Sequence, residues 1–182
     1  MLEPRDAELV ARAQRGDVNA VGQLYDRHQA RIFRYVRSRV DNSQLAQDLT
    51  GEVFLRMVAA LPEYRITRAP FAAWLYSIAR NLIADHYRKE GNRMAVPIQE
   101  VQHVVGEGTD PAVVVEQQLT LERVQRALER IDETQREVIR LRFLAGLSLR
   151  EVAESLGKTV AAVKSLQHRG LLALRAALQQ EV

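Results

Sequence analysis

The chain has 182 residues, a formal net charge of +3 and no cysteine. The lack of cysteine excludes a disulfide framework and a cysteine zinc site, and no apolar segment approaches the roughly 20 residues that a membrane span requires. The charged, amphipathic N-terminus is unlike a secretory signal peptide, so we expect a cytoplasmic protein without membrane insertion.

Helical periodicity dominates the sequence and strand-like alternation is nearly absent, which predicts an all-α fold. In the first ninety residues, apolar side chains recur at i, i+3 and i+4 over four segments. The predicted helices cover 5–15, 18–40, 44–61 and 71–88, with Gly16 as a break, Asp17 as a cap and Pro62 at the end of the third.

The third predicted helix has two faces of different character. Asp48 and Glu52 lie one turn apart on its polar face. Its apolar face carries Leu45, Leu49, Val53, Phe54, Met57, Val58 and Leu61.

A loop bracketed by prolines follows, with the sequence PEYRITRAP over residues 62–70. It is expected to expose Tyr64, Arg65 and Arg68. An aromatic ring among arginines is typical of loops that hold unstacked bases, since base–aromatic stacking contributes about 1–3 kcal/mol per base. An ordinary surface loop is the alternative.

The fourth helix places Trp74 on its apolar stripe together with Phe71, Leu75, Ile78 and Leu82, so Trp74 is first of all a core residue. The basic and polar residues that lie off this stripe, and are therefore free to meet nucleic acid, are Arg80, Asn81, Arg88 and Lys89.

Helical periodicity lapses over residues 91–116, where prolines and glycines interrupt a mixture of valines and polar residues. We interpret this segment as a flexible linker between two small helical domains. Helices are predicted again over 117–131 and 133–144, with Asp132 or Thr134 as a cap. The predicted core of the second domain is Leu119, Val124, Leu128, Ile131, Val138, Leu141 and Leu147.

Residues 148–175 have the pattern of a helix-turn-helix. Ser148 is a suitable N-cap, and Glu151 three residues later completes a capping box. Gly157 supplies the positive φ that ends a helix, and Thr159 is placed to cap a second helix that continues to about Leu178.

One face of that second helix is basic and free of acids, since no Asp or Glu occurs from Ser155 to Gln180. Small side chains among long cations suit a helix in a DNA major groove. A solvated amphipathic helix in a bundle is the alternative. The helical wheel turns Val160, Val163, Gly170, Leu171, Leu174 and Leu178 inward. The predicted DNA-contacting residues are Lys158, Thr159, Ala161, Ala162, Lys164, Ser165, His168 and Arg169.

The sequence contains neither a phosphate-binding glycine loop nor histidines at metal-ligand spacing. The neighbours Asp85 and His86 lie on a helix beside basic residues, where a structural role is far commoner than a catalytic one. We therefore expect no enzymatic activity, no cofactor and no metal.

Two groups of motifs, in order, resemble the small bacterial RNA polymerase sigma factors of group IV, the extracytoplasmic-function type. DLTGEVFLRM (Asp48–Met57) is similar to the core-polymerase-binding helix of that family. FAAWLYSIARNLIADHYRK (Phe71–Lys89) is similar to its −10 promoter segment, and the helix-turn-helix resembles its −35-binding element, in which E-[IV]-A-x-x-L-G precedes V-K-S.

The resemblance implies a sigma factor that binds core polymerase and directs promoter-specific initiation through −10 and −35 contacts. Residues 1–90 would form region 2 and residues 117–182 region 4. Asp48, Glu52 and Phe54 would dock on the polymerase clamp. The −10 contacts would come from the loop with Tyr64, Arg65 and Arg68 and from Trp74, Arg80, Asn81, Arg88 and Lys89. Promoter DNA and an anti-sigma factor are the further partners it implies.

Two other functions fit parts of the sequence. A stand-alone helix-turn-helix regulator would account for residues 117–178 but would leave the segments 48–57 and 71–89 without a role. A helical adaptor that binds protein through residues 148–178 would be expected to carry acids on that face, and none occur there.

Overall fold

The computed structural model describes residues 5–91 and 123–180, and the regular structure in those ranges is helical, as predicted. The predicted linker, apart from Gly91, and the start of the helix predicted over 117–131 lie outside the described residues. The N-terminal half contains α1 (Asp6–Gln14), α2 (Val18–Arg37), α3 (Ser43–Ala60), a 3-10 turn (Leu61–Glu63) and α4 (Phe71–Lys89). The C-terminal half contains helical residues 123–129 (α5), α6 (Glu133–Ile139), a π-helical turn (Arg140–Leu144), α7 (Leu149–Leu156) and α8 (Val160–Gln179).

Short-range capping explains most of these boundaries. Asp17 accepts a hydrogen bond from the Ala20 amide, as predicted, and Asn42 caps α3. The second helix ends at Arg37, three residues before the predicted end. There the Ser38 hydroxyl donates to the Tyr35 carbonyl at 2.6 Å, and such a side-chain bond competes with the helical ladder.

The helix-turn-helix forms as the sequence predicts. Ser148 and Glu151 exchange the two hydrogen bonds of a capping box, at 3.2 and 2.7 Å. Gly157 has φ +63°, a left-handed conformation in which a side chain would be strained. Thr159 accepts from the Ala162 amide at 3.1 Å and begins α8. Local chemistry therefore fixes where α7 ends and α8 begins.

The helix predicted over 133–144 is not regular throughout. Its α-helical part ends at Ile139, and the last five residues form the π-helical turn. In that turn Leu141 is buried, whereas Phe143 is 53% exposed. The Arg142 guanidinium donates to the Leu147 carbonyl and to Gln167, and these bonds tie the turn to the loop before α7 and to α8.

One hydrophobic core runs through both halves of the chain. It joins the buried faces of α1 to α4 to buried side chains of the C-terminal half, among them Val138, Leu141 and Leu147. Leu128, Ile131 and Ile139 form a second, smaller cluster, against which Val124 packs. The two halves therefore meet along a packed interface, which we call the seam, in which α2 and α4 contact residues 137–155.

No helix within residues 5–91 and 123–180 has both the length and the hydropathy of a membrane span.

Gly170 is expected to be essential for the crossing of α6 and α8. A Cβ there would lie 2.9 Å from Ile139 Cδ1 and 3.2 Å from Gln135 Cβ, so Gly170→Ala should lower the free energy of unfolding by about 1–3 kcal/mol through overpacking. Gly22 in α2 has nothing within 4 Å of its Cβ position, so the matched Gly22→Ala should raise stability by about 0.5–1 kcal/mol. Urea titration followed by far-UV circular dichroism measures both; equal stability of the two variants would contradict the close crossing.

Candidate nucleic-acid interface

The face of α8 that the sequence predicts to contact DNA is exposed. All eight predicted positions are open to solvent: Lys158, Thr159, Ala161, Ala162, Lys164, Ser165, His168 and Arg169. The seam does not cover this face. A ligand could therefore approach the basic side of α8 without any rearrangement of the two halves.

The inward stripe of α8 is narrower than the helical wheel predicts. Val163 and Gly170 are buried as expected, but Val160 and Leu171 are each 39% exposed, so their predicted inward packing is wrong. The reason is that α6 and α7 cover only one side of this long helix. Gln167 is half-buried and accepts from Arg142 Nε at 2.9 Å, so it braces the helix instead of facing DNA.

The electrostatic character of this face follows from its sequence. Within the part of the chain that the structure describes, Lys158, Lys164 and Arg169 form no ion pair. Arg169 Nε makes only a long contact, 3.5 Å, with the Ser165 carbonyl of its own helix. Unpaired cations on an exposed helix attract phosphate and release its counterions on binding.

The loop 62–70 is held more firmly than a surface loop would be. Tyr64 is half-buried, not freely exposed as expected, and its ring lies 4.4 Å from the Trp74 ring and 5.5 Å from the Phe71 ring, centroid to centroid. Arg65 and Arg68 are exposed beside it. This aromatic cluster of Tyr64, Phe71 and Trp74 presents a preformed surface on which a base could stack.

Helix α1 pins this loop from the other side, through contacts that sequence reasoning missed. The Gln14 amide donates to the carbonyls of Leu61 and Tyr64 at 3.0 and 2.6 Å. These partners are 47 and 50 residues away in the chain, so no local pattern reveals them. The loop backbone is therefore fixed by a helix that the sequence shows only as amphipathic.

A half-buried carboxylate with two basic partners anchors α1 itself. His28 Nε2 lies 2.9 Å from one oxygen of Asp6, and Arg27 donates to the other at 2.7 Å. His28 is 3% exposed, and its ring meets the edge of Phe71. Burial alone would raise the pKa of the Asp6 carboxyl, but the hydrogen bonds and charges of His28 and Arg27 outweigh it and hold that pKa below its usual 3.8.

A cleft of about 330 Å³ opens between the start of α1 and the loop 62–70. Arg5 and Asp6 line one wall, and Tyr64, Thr67 and Phe71 line the other. The cleft adjoins the aromatic cluster, so polar and aromatic groups converge at one place.

Most of the predicted polar face of α4 is open to solvent. Asn81, Arg88 and Lys89 are exposed, and Trp74 is half-buried at the end of its stripe. Arg88 pairs with Asp85 at 2.6 Å. Arg80 is different, because its guanidinium donates to the Ser155 carbonyl of α7, so the prediction that it is free to meet nucleic acid is wrong for this arrangement of the two halves.

The polar face of α3 carries the predicted acidic pair. Asp48 is exposed and accepts from Gln44, and Glu52 pairs with Arg56 at 3.1 Å. Phe54, which the resemblance places on the docking surface, is 5% exposed and packs edge-on against Tyr25, so it is a core residue. Val58, which the helical pattern places on the apolar face, is 47% exposed.

Residues 5–91 and 123–180 contain no group of three or more His, Cys, Asp or Glu side chains that could hold a metal ion.

Two family models match the chain, in the order that the motifs suggest. The Sigma-70 region 2 model matches residues 24–93, and the Sigma-70, region 4 model matches residues 127–176. The first match begins within α2 and runs through α4 with the loop 62–70, and the second runs from the end of α5 into α8 as far as residue 176.

Two curated relatives are ECF RNA polymerase sigma factors. The chain is 38% identical over 170 residues to the ECF RNA polymerase sigma factor BldN of Streptomyces coelicolor, a match that covers 93% of this chain and 64% of BldN. It is 35% identical over 171 residues to the ECF RNA polymerase sigma factor SigD of Mycobacterium tuberculosis, covering 92% of this chain and 81% of SigD.

A solved structure is also similar. CnrH, determined in complex with the cytosolic domain of CnrY, superimposes with a TM-score of 0.75 at 30% identity, over 97% of this chain and 99% of CnrH. The sigma factor RpoE of Bartonella quintana, determined with the anti-sigma factor NepR, has the same fold, with a TM-score of 0.68 at 21% identity over 89% of this chain and 98% of that chain.

The anchoring of α1 by Asp6 gives a pH-dependent prediction. Asp6→Asn should lower the free energy of unfolding at pH 7 by about 1–3 kcal/mol, because a buried charged hydrogen-bond network loses its acceptor charge. Since the folded-state pKa lies below 3.8, the difference from wild type should persist above about pH 5 and shrink as the pH falls through that lower pKa.

Urea titrations at pH 7 and at pH 2.5 measure this difference. Asp26→Asn is the matched control, since Asp26 is an exposed carboxylate on α2, and it should change stability by less than about 0.5 kcal/mol. A loss that is equal at both pH values would show that the ionised carboxylate is not what anchors α1.

Proposed function

Because the chain belongs to the extracytoplasmic-function (ECF) RNA polymerase sigma factors, we propose that it binds core RNA polymerase and directs promoter-specific initiation through contacts with the −10 and −35 elements. The observation that carries this proposal is the pairing of two nucleic-acid surfaces of different chemistry on one chain. One is an exposed basic helix face, and the other is an aromatic cluster beside arginines.

The basic face of α8 suits double-stranded DNA. Its exposed positions alternate small side chains, such as Ala161 and Ala162, with long cations, such as Lys164 and Arg169. Small residues let the backbone approach the groove floor, and the cations reach phosphates and base edges. We assign this face to the −35 element.

The aromatic cluster suits unpaired bases. Tyr64 and Trp74 are already in contact, so a base that stacks there pays little to order them, and Arg65 and Arg68 lie beside them to meet phosphates. Asn81, Arg88 and Lys89 extend this surface along α4. We assign the loop 62–70 and α4 to the −10 element, where the strands must separate.

The exposed face of α3 is the proposed contact with the polymerase clamp. Asp48 and Glu52 supply negative charge one turn apart, and Leu55 and Val58 are 67% and 47% exposed. Acidic side chains next to exposed apolar ones are typical of a protein interface. Phe54 supports this face from the core, through its contact with Tyr25.

The remaining elements of the proposal follow from the same assignment. Residues 1–90 act as the −10 and polymerase-binding domain, residues 117–182 as the −35 domain, and residues 91–116 as the linker. We also propose a cytoplasmic location, where promoter and polymerase meet, and an anti-sigma factor as a regulatory partner. CnrH, which is 30% identical to this chain, was determined in complex with the cytosolic domain of CnrY, and that complex supports a protein partner of this kind.

In vitro transcription with core polymerase and a promoter library tests the function. Promoter-specific initiation that depends on this chain is expected. A stand-alone helix-turn-helix regulator would instead bind duplex DNA without core polymerase and would not start transcription with core enzyme alone. Absence of both initiation and co-purification with core polymerase would refute the sigma-factor assignment.

Paired substitutions should separate the two roles. Lys164→Ala with Arg169→Ala should weaken −35 duplex binding about tenfold or more and reduce the salt slope by about 1 for each cation that no longer meets a phosphate, with core-polymerase binding unchanged. Asp48→Lys with Glu52→Lys should weaken core binding and leave duplex binding unchanged. Fluorescence anisotropy on −35 duplexes and co-sedimentation with core enzyme measure the two effects; circular dichroism checks the fold.

The single tryptophan of the chain is a built-in probe of the −10 surface. A single-stranded −10 oligonucleotide should quench Trp74 fluorescence, because a base stacks on the ring pair. Tyr64→Ala should weaken that binding about tenfold to hundredfold, whereas Tyr64→Phe keeps the aromatic face and should bind like wild type. Equal affinity of the alanine variant would exclude stacking on Tyr64.

A further inference from the structure

A buried carboxylate links the two halves of the chain. Glu137, on α6, is 8% exposed and lies at the seam. It accepts hydrogen bonds from the Tyr35 hydroxyl and from Arg39, the latter at 2.5 Å. Tyr35 lies on α2, and Arg39 follows it, so both partners come from the other half of the chain.

The Glu137 carboxylate keeps these two hydrogen bonds only while the seam is closed. A buried carboxylate is stable only where donors satisfy it, and the donors Tyr35 and Arg39 lie 102 and 98 residues from Glu137 in the sequence. Tyr35 depends on the carboxylate in turn, since burial and the negative charge of Glu137 both raise the pKa of the Tyr35 hydroxyl and keep it protonated as a donor. Separation of the halves breaks both of these bonds at once.

The same seam holds parts of the proposed −10 surface. The Arg80 guanidinium of α4 is bonded to the Ser155 carbonyl, and Arg150 of α7 donates to the Arg68 carbonyl at 3.2 Å. Helix α7, which precedes the proposed −35-binding helix, thus covers the Arg80 side of α4 and is hydrogen-bonded to the end of the loop 62–70.

The packed arrangement is too small for a promoter. A compact body formed by residues 5–91 and 123–180 has a radius of gyration of about 15 Å and is about 40 Å across. Two promoter elements with centres some 20 base pairs apart are roughly 70 Å apart along B-form DNA. The two halves must separate before both elements are bound.

We propose that Glu137 is an intramolecular latch: by joining α6 to Tyr35 and Arg39 it holds the free chain closed, with Arg80 sequestered on α7, and its release exposes the Arg80 face of α4. The closed state itself stands on the contacts at the seam. Its consequence for DNA rests on the proposed function.

Thiol labelling measures opening directly, because the chain has no cysteine. Ser155 is 7% exposed, so the Ser155→Cys thiol should react with a soluble disulfide reagent at a rate proportional to the open fraction. Glu137→Gln should accelerate that reaction about tenfold to hundredfold, the range for loss of charged hydrogen bonds. Tyr35→Phe removes one hydroxyl from the opposite half and should accelerate it by a smaller factor.

Matched controls separate opening from unfolding. Glu129→Gln makes the same charge change at an exposed site of the C-terminal half and should leave the labelling rate unchanged. Ala177→Cys places a thiol at a buried position of α8 that is not part of the shared core, and neither latch variant should accelerate its labelling. If Glu137→Gln accelerates the labelling of both thiols equally, the substitution unfolds the C-terminal half. The labelling rate of the Ser155→Cys thiol with Tyr35→Phe then decides whether the latch exists.

The latch is overturned if neither Glu137→Gln nor Tyr35→Phe accelerates labelling of the Ser155→Cys thiol, or if that thiol reacts in the otherwise unaltered chain as fast as an exposed one. The DNA consequence has its own readout. Opening should raise the affinity for a single-stranded −10 oligonucleotide, by at most the factor by which the labelling rate rises, since the open fraction adds the contacts of the Arg80 face. Faster labelling without tighter binding would keep the latch and refute the −10 assignment of the Arg80 face.

Discussion

The relative position of the two halves, and with it that of the two proposed DNA-binding surfaces, depends on how one carboxylate is satisfied in a mostly apolar seam. Around Glu137, side chains such as Val138 and Leu141 join the core of the N-terminal half. Apolar contact alone would permit many relative positions of two packed faces, because the hydrophobic effect is non-directional. The bonds from Tyr35 and Arg39 are directional, so they select one of those positions.

The seam contains buried polar groups without hydrogen-bond partners, and these favour its opening. Arg80 Nε and Arg140 Nε have no hydrogen-bond partner within the described residues, and burial together with the nearby Arg39 lowers the pKa of Arg140 to about 10. A buried donor without a partner destabilises the closed seam, because it has lost its hydrogen bonds to water. Opening lets water bond to these donors again. A wholly apolar seam of the same extent would resist separation more strongly.

The helix boundaries that depend on neighbouring residues are predictable from the sequence. The capping box at Ser148, the left-handed Gly157 and the caps at Asp17 and Thr159 all form as predicted, because each depends on groups within three residues. Helical periodicity also located the basic face of α8. Exposure of that face needed no knowledge of tertiary contacts, since a face made of small, polar and basic side chains has little to bury.

What the sequence did not predict lies in long-range contacts. The bonds that position the loop and the seam join residues 22, 50 and 102 apart, in the pairs Asp6 with His28, Gln14 with Tyr64 and Tyr35 with Glu137. Helical wheels failed where burial depends on the reach of the neighbouring helix, as at Val58, Val160 and Leu171. Arg80 lies off its apolar stripe as expected, yet α7 covers it.

In the proposed closed state, a binding partner must supply the free energy that opens the seam. A ligand shifts an equilibrium only by its differential affinity for the two states, and promoter DNA gains its second contact only when the seam is open. Each 1.4 kcal/mol of seam stability therefore reduces apparent affinity about tenfold. The exposed α3 and α8 faces remain available in the closed state, so the contacts proposed for them, with polymerase and with duplex DNA, form without opening and contribute binding energy toward it. Under the proposed function, the accessible surfaces bind first, the seam then opens, and the face of α4 that carries Arg80 meets the separated strand last.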